Sequence, residues 1–110
     1  MNELLKNYLI DTQHPDVSGI EHLQMLRNRT KLAAMSASFS AREQQQLAIA
    51  DQMLVAHAHE FVVELSRFIN FAEERRRLQI TPEQWWWYLD IIAELPDYLI
   101  RQPEAAALMA

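Results

Sequence analysis

The residue types best suited to chemistry gather in one stretch, AHAHE, where His57, His59 and Glu60 stand together with Glu64 one turn further on. Metal binding is the chemistry such donors suggest first. On a helix, residues i and i+2 point roughly 200° apart, so His57 and His59 face away from each other and cannot share an ion. His57 and Glu60, at i and i+3, do share a face. A ferritin-like di-metal centre needs Glu-x-x-His on two helices, and the chain does not contain that motif even once. The H-E-x-x-H of metalloproteases is missing as well. The expectation is that no metal is bound, with His57 at the edge of the core and His59 facing water.

Catalysis by other routes finds little material. There is no cysteine, and one glycine in 110 residues leaves no phosphate-cradling loop and no G-x-S-x-G nucleophile elbow. Glu73 and Glu74 are sequence neighbours and so face apart. The chain is expected to be non-enzymatic and to carry no cofactor. A metal or tetrapyrrole site built from His57 and the tryptophans stands as a third-ranked alternative.

Aromatic side chains are the other distinctive feature. In ITPEQWWWYLD, residues 80–90, three tryptophans precede a tyrosine. On a helix Trp85, Trp86 and Trp87 would sweep roughly 200°, more than one core can receive. With Thr81 as N-cap, Pro82 at N1 and Gln84 completing a capping box, a last helix is expected to begin there. Trp85, Tyr88, Leu89, Ile92, Leu95 and Leu99 then form the core face. Trp87, Ile91 and Tyr98 make an adjoining apolar strip, and Trp86 falls on a polar side shared with Asp90 and Asp97. Exposed aromatics bury much area for few rotatable bonds, which suits partner binding.

The elements that must position these residues are helical. Few glycines and prolines, with abundant Ala, Leu, Glu, Gln and Arg, leave little for tight β-turns. Half the residues are hydrophobic, and no run approaches the ~20 apolar residues a membrane span needs. Residues 1–10 lack the features of an export signal, and the absence of cysteine suits a cytoplasmic location.

A short first helix is expected over Asn2–Ile10, ending before Pro15. Ser18 and Glu21 open a second helix, Gly19–Met35, and the serines of MSASFS end it. Ser40 and Glu43 form another capping box, and no Gly or Pro follows until Pro82. One helix from Ala41 to Arg77 is the resulting expectation, on the order of 55 Å long. Pro96 stops the last helix, and residues 104–110 form a flexible tail after a single domain over 1–103. The whole is an all-α bundle of four helices around one long central helix, paired as a homodimer.

Two surfaces look made for partners. Met25, Leu32 and Met35, with Asn28 between them, form a coiled-coil-like seam beside the core face of Leu23, Leu26, Thr30, Ala33 and Ala34. Trp86, Trp87, Ile91 and Tyr98 form the aromatic one. The function expected is a non-catalytic protein–protein interaction module: a small adaptor, chaperone or regulator binding itself and another protein.

The net charge is −5, weighing against general nucleic-acid binding. Residues 22–42 are nonetheless basic, with Arg27, Arg29, Lys31 and Arg42, whereas 43–64 are acidic. The pair reads first as a self-complementary hairpin and second as the docking surface of a nucleic-acid-associated regulator. Arg75, Arg76 and Arg77 read as a favourable helix end, with Glu73 pairing Arg77.

Overall fold

The first helix, α1 (Glu3–Asp11), starts where the Asn2 side chain accepts a hydrogen bond from the Leu5 N–H at 3.2 Å. Its buried face carries Leu5 and Tyr8. Helix α2 (Gly19–Met35) is capped by Ser18, which accepts from the Glu21 N–H. A 3₁₀ turn, Ser36–Ser38, takes the chain to Ser40, where both halves of the expected capping box form: Ser40 Oγ accepts from Glu43 N–H at 3.1 Å, and Glu43 accepts from Ser40 N–H at 3.0 Å. These are the features of the computed structural model, which describes residues 2–96.

The long central helix is not continuous. It is three helices, α3 (Ala41–Ala56), α4 (Ala58–Leu65) and α5 (Phe71–Arg77). His57 ends one and begins the next, with φ −105° and ψ 18°, outside the helical range. The bend lets one stretch of chain serve two neighbours, since α3 packs on α1 while α4 packs on α2. A straight rod of roughly 55 Å would overshoot the described residues, whose longest principal extent is 34 Å.

The second break spans residues 66–70, and Asn70 restarts the helix by accepting from Glu73 N–H at 3.1 Å. Helix α5 ends in a Schellman motif: Ile80 N–H donates to the Arg75 carbonyl at 2.9 Å and Gln79 N–H to that of Arg76 at 3.3 Å. Gln79 occupies the left-handed position with φ 55°, where glycine is usual.

The expected helix from Thr81 also takes another form. Residues 81–84 make a turn closed by Gln84 N–H on the Thr81 carbonyl, Trp85–Tyr88 wind as a 3₁₀ turn, and only Leu89–Ile92 are α-helical (α6). The Thr81 side chain is engaged by the Glu83 carboxylate, which it holds below its usual pKa. Among the described residues the fold is six α-helices, two 3₁₀ turns and no strand, and no helix is long and apolar enough to cross a membrane. One core runs through it, from Leu5 and Tyr8 through Met25, Leu26 and Leu32 to Leu54, Phe61, Leu65 and Leu89. Tyr98, Leu99, the turns expected beyond Pro96 and the tail over 104–110 lie outside the described residues.

Candidate functional site

The densest polar constellation is buried where α1, α2, α3 and the tryptophan turn meet. Asp51 Oδ1 accepts from the Tyr8 hydroxyl at 2.6 Å and from Arg29 Nε at 2.9 Å, and Oδ2 accepts from Arg29 Nη2 at 3.0 Å. Arg29 is 7% exposed. Its guanidinium lies 4.3 Å from the Trp86 ring centroid and 5.8 Å from that of Trp85. The Arg29 Nη1 atom has no hydrogen-bond partner among the described residues, while the guanidinium as a whole lies over the Trp86 ring. Burial, and then the charge and hydrogen bond of Asp51, push the Tyr8 phenol far above its ordinary pKa, so it stays protonated and donating.

The next residue of α2, Thr30, gathers the tryptophans. Its Oγ1 accepts from Trp86 Nε1 at 2.9 Å and from Trp87 Nε1 at 3.0 Å while donating to the Leu26 carbonyl. A second arginine braces the turn from α5. Arg75 donates to the Trp87 carbonyl at 2.9 Å, forms a two-pronged pair with Asp90 at 2.7 and 3.2 Å, and lies over the Tyr88 ring. Apart from Arg29 Nη1, the charged groups here are used in joining elements, which is a structural task.

This geometry corrects several expectations. Trp86 and Trp87, read as contact residues, are each 2% exposed, and Trp85, read as core, is only half-buried. The reason is Thr30, which draws the second and third indoles inward together. Met25 and Leu32 are fully buried against the same chain and Met35 half-buried, so most of the seam faces inward. Ala33 and Ala34, placed on the inner side of α2, are exposed. Ile91 is exposed as expected.

In the basic segment Arg27, Lys31 and Arg42 are exposed, but Arg29 is the buried partner of Asp51. That bridge does join the basic to the acidic segment, as the hairpin reading required. Arg77 pairs with Glu74 rather than Glu73. His57 is half-buried at the helix break, and His59 is exposed. No three His, Asp or Glu side chains among the described residues converge as a metal site.

What remains outside the structural task is an apolar surface where the start of α2 crosses the end of α4. Gly19 allows the crossing: a Cβ there would lie 2.5 Å from the Glu64 carbonyl oxygen and 2.6 Å from Phe68 Cδ2. Around it Ile20 is 64%, Phe68 53% and Val63 47% exposed. Beside them, between the α1–α2 loop and α4, lies a cleft of about 270 Å³ lined by Pro15, Asp16, His59, Glu60, Val63 and Glu64. None of these was singled out as a contact residue from the sequence, although Ile20 lies off the inner face of α2 and Phe68 follows the last turn of α4. Comparison with protein families, with curated proteins and with solved structures gave no match.

Proposed function

We propose that this chain is a non-catalytic, cytoplasmic protein–protein interaction module, and that its contact surface is the Ile20, Val63 and Phe68 face rather than the tryptophans. The observation that carries the reading is the exposure of a phenylalanine and two β-branched residues around one close helix crossing. Apolar side chains clustered on a rigid surface are what partner sites are built from. The densest buried polar set, Tyr8, Arg29, Thr30 and Asp51, is occupied in joining α1, α2, α3 and the tryptophan turn, which supports a structural rather than a catalytic task for it.

Self-association through Met25, Leu32 and Met35 drops out of the proposal because Met25 and Leu32 are already covered and Met35 alone is half-buried. The nucleic-acid alternative retains Arg27, Lys31 and Arg42 but loses Arg29. Affinity capture from the native cell tests the main reading, comparing wild type with Phe68→Ser and Ile20→Ser. Partners retained by wild type and lost by both variants, at unchanged Tm, are expected. An identical set on all three would overturn it.

A further inference from the structure

Where the start of α1 meets the end of α2, one side-chain amide touches both helices. Asn2 caps α1 through its Oδ1, which accepts from the Leu5 N–H at 3.2 Å, and its Nδ2 donates to the Met35 sulfur at 3.1 Å. A thioether is a weak acceptor, but the contact fixes the amide's direction: with Nδ2 on the sulfur, Oδ1 is turned to the helix. Met35 is half-buried and packs against the core. Of the other four methionines, Met25 is fully buried, Met53 is half-buried, and Met1 and Met109 lie outside the described residues. Among the described residues, Met35 is the one methionine whose sulfur takes a hydrogen bond.

Oxidation of that sulfur ends the contact. A hydroperoxide transfers one oxygen to a thioether: the sulfur lone pair attacks, and the S–O bond forms as the O–O bond breaks. The sulfur is oxidised by two electrons, the peroxide is reduced by two, and the proton of the transferred oxygen passes to the departing one, which leaves as water or an alcohol. On the lone pair facing Asn2 the new oxygen has no room, because an N–H···O bond alone spans about 2.9 Å and the sulfur lies only 3.1 Å from Nδ2. On the other lone pair, the sulfur gains positive charge and stops accepting. Either product displaces the Asn2 amide and sets a polar group against the core.

We propose that Met35 is a hydroperoxide-sensitive modification site, and that its conversion to the sulfoxide uncaps α1 and loosens that helix on α2 and α3. Helix α1 carries Leu5 and Tyr8 into the core and places the Tyr8 hydroxyl on Asp51, so a change at the sulfur reaches the buried polar set.

The test treats the folded protein with hydrogen peroxide, reads the modified sites by peptide mass spectrometry and follows amide hydrogen exchange. Met35 and Met53 are expected to oxidise and Met25 to be spared. Amides from Leu5 to Asp11 should then exchange about three- to ten-fold faster, the scale of a lost N-cap. Methionine sulfoxide reductases reverse the step and should restore slow exchange. Met35→Leu nearly conserves volume and keeps the other four methionines; peroxide should leave its α1 exchange within about two-fold. Asn2→Ala removes the cap without touching the sulfur. It should speed exchange by itself, and oxidising Met35 in that variant should add less than half, on a logarithmic scale, of what it adds in wild type.

A Met35 left unmodified under conditions that oxidise Met53 would overturn the proposal. So would a modified Met35 with unchanged α1 exchange. An effect as large in Asn2→Ala as in wild type would assign the loosening to polarity in the core and remove the cap from the argument. Fast exchange that persists once the sulfoxide is reduced, or that appears equally in treated Met35→Leu, would trace to other damage and overturn the site as well.

Discussion

Asp51 answers to two elements at once, accepting from Tyr8 on α1 and from Arg29 on α2. Removing one member of such a set leaves the others desolvated and unpaired, which is costlier than the net worth of the bond. Asp51→Ala should therefore destabilise by about 3 kcal/mol, toward the lower end for buried pairs because its side chain is 21% exposed. The apolar triple Tyr8→Phe, Arg29→Met, Asp51→Leu should recover at least half of that loss in urea unfolding. A neutral Arg29→Met alone would show that the pair does not hold the helices. Asp11 works in the opposite sense. Its native pKa is raised by burial and by Glu21, so ionisation is less favourable folded than unfolded. The stability linked to this group is complete below the unfolded value of about 3.9 and is lost as pH rises through the higher folded value. Asp11→Asn should raise Tm at pH 7, helped by removing a negative charge from a helix C-terminus, and should give no gain near pH 3. A gain of equal size at both pH values would mean that ionisation is not the cause.

Helix termini carry the next set of consequences. Gln79 holds a left-handed conformation that L-residues adopt at a cost of roughly 1–2 kcal/mol. Gln79→Gly removes that cost but adds freedom to the unfolded chain, leaving an expected gain of about 0.5–1 kcal/mol by chemical denaturation. Gly19→Ala acts the other way, because the added methyl meets the Glu64 carbonyl oxygen, a backbone atom that cannot move aside. A loss of about 2 kcal/mol or more is expected, on the scale of core overpacking; a neutral result would mean that α2 and α4 are not tightly seated. These termini also explain what was legible in the chain. Starts written in short polar side chains were readable: Ser18 before Glu21 and Ser40 before Glu43 both cap as expected. Asn70 before Glu73 has the same spacing and the same bond, and it was obscured by the apolar pattern running through Phe68 and Ala72. The break at His57 has no such local mark. It follows from α4 having to reach α2, a tertiary demand that propensity does not encode. Thr81 and Gln84 show the converse, a local start signal set aside because Thr30 holds both indole N–H groups.

Across the whole molecule, the side chains that hold the fold and those proposed to meet a partner are different sets, and substitutions should separate them. Trp86 fills the core, covers the Arg29 guanidinium and donates to Thr30. Trp86→Ala leaves a large cavity and removes a cation–π partner, so a loss of about 3–5 kcal/mol is expected, a large share of the stability of a domain this size. Phe68 is about half-exposed, and its ring makes a close contact with Gly19. Phe68→Ser forfeits only the covered half of its apolar area, about 1 kcal/mol, while removing the main aromatic surface of the proposed contact face. The two variants should diverge in opposite directions: Trp86→Ala unfolds readily and loses binding only as it loses structure, whereas Phe68→Ser keeps its circular dichroism spectrum and urea midpoint nearly unchanged and loses its partner. If Phe68→Ser unfolds as readily as Trp86→Ala, then Phe68 belongs to the core in solution and the contact face must be sought elsewhere on the molecule.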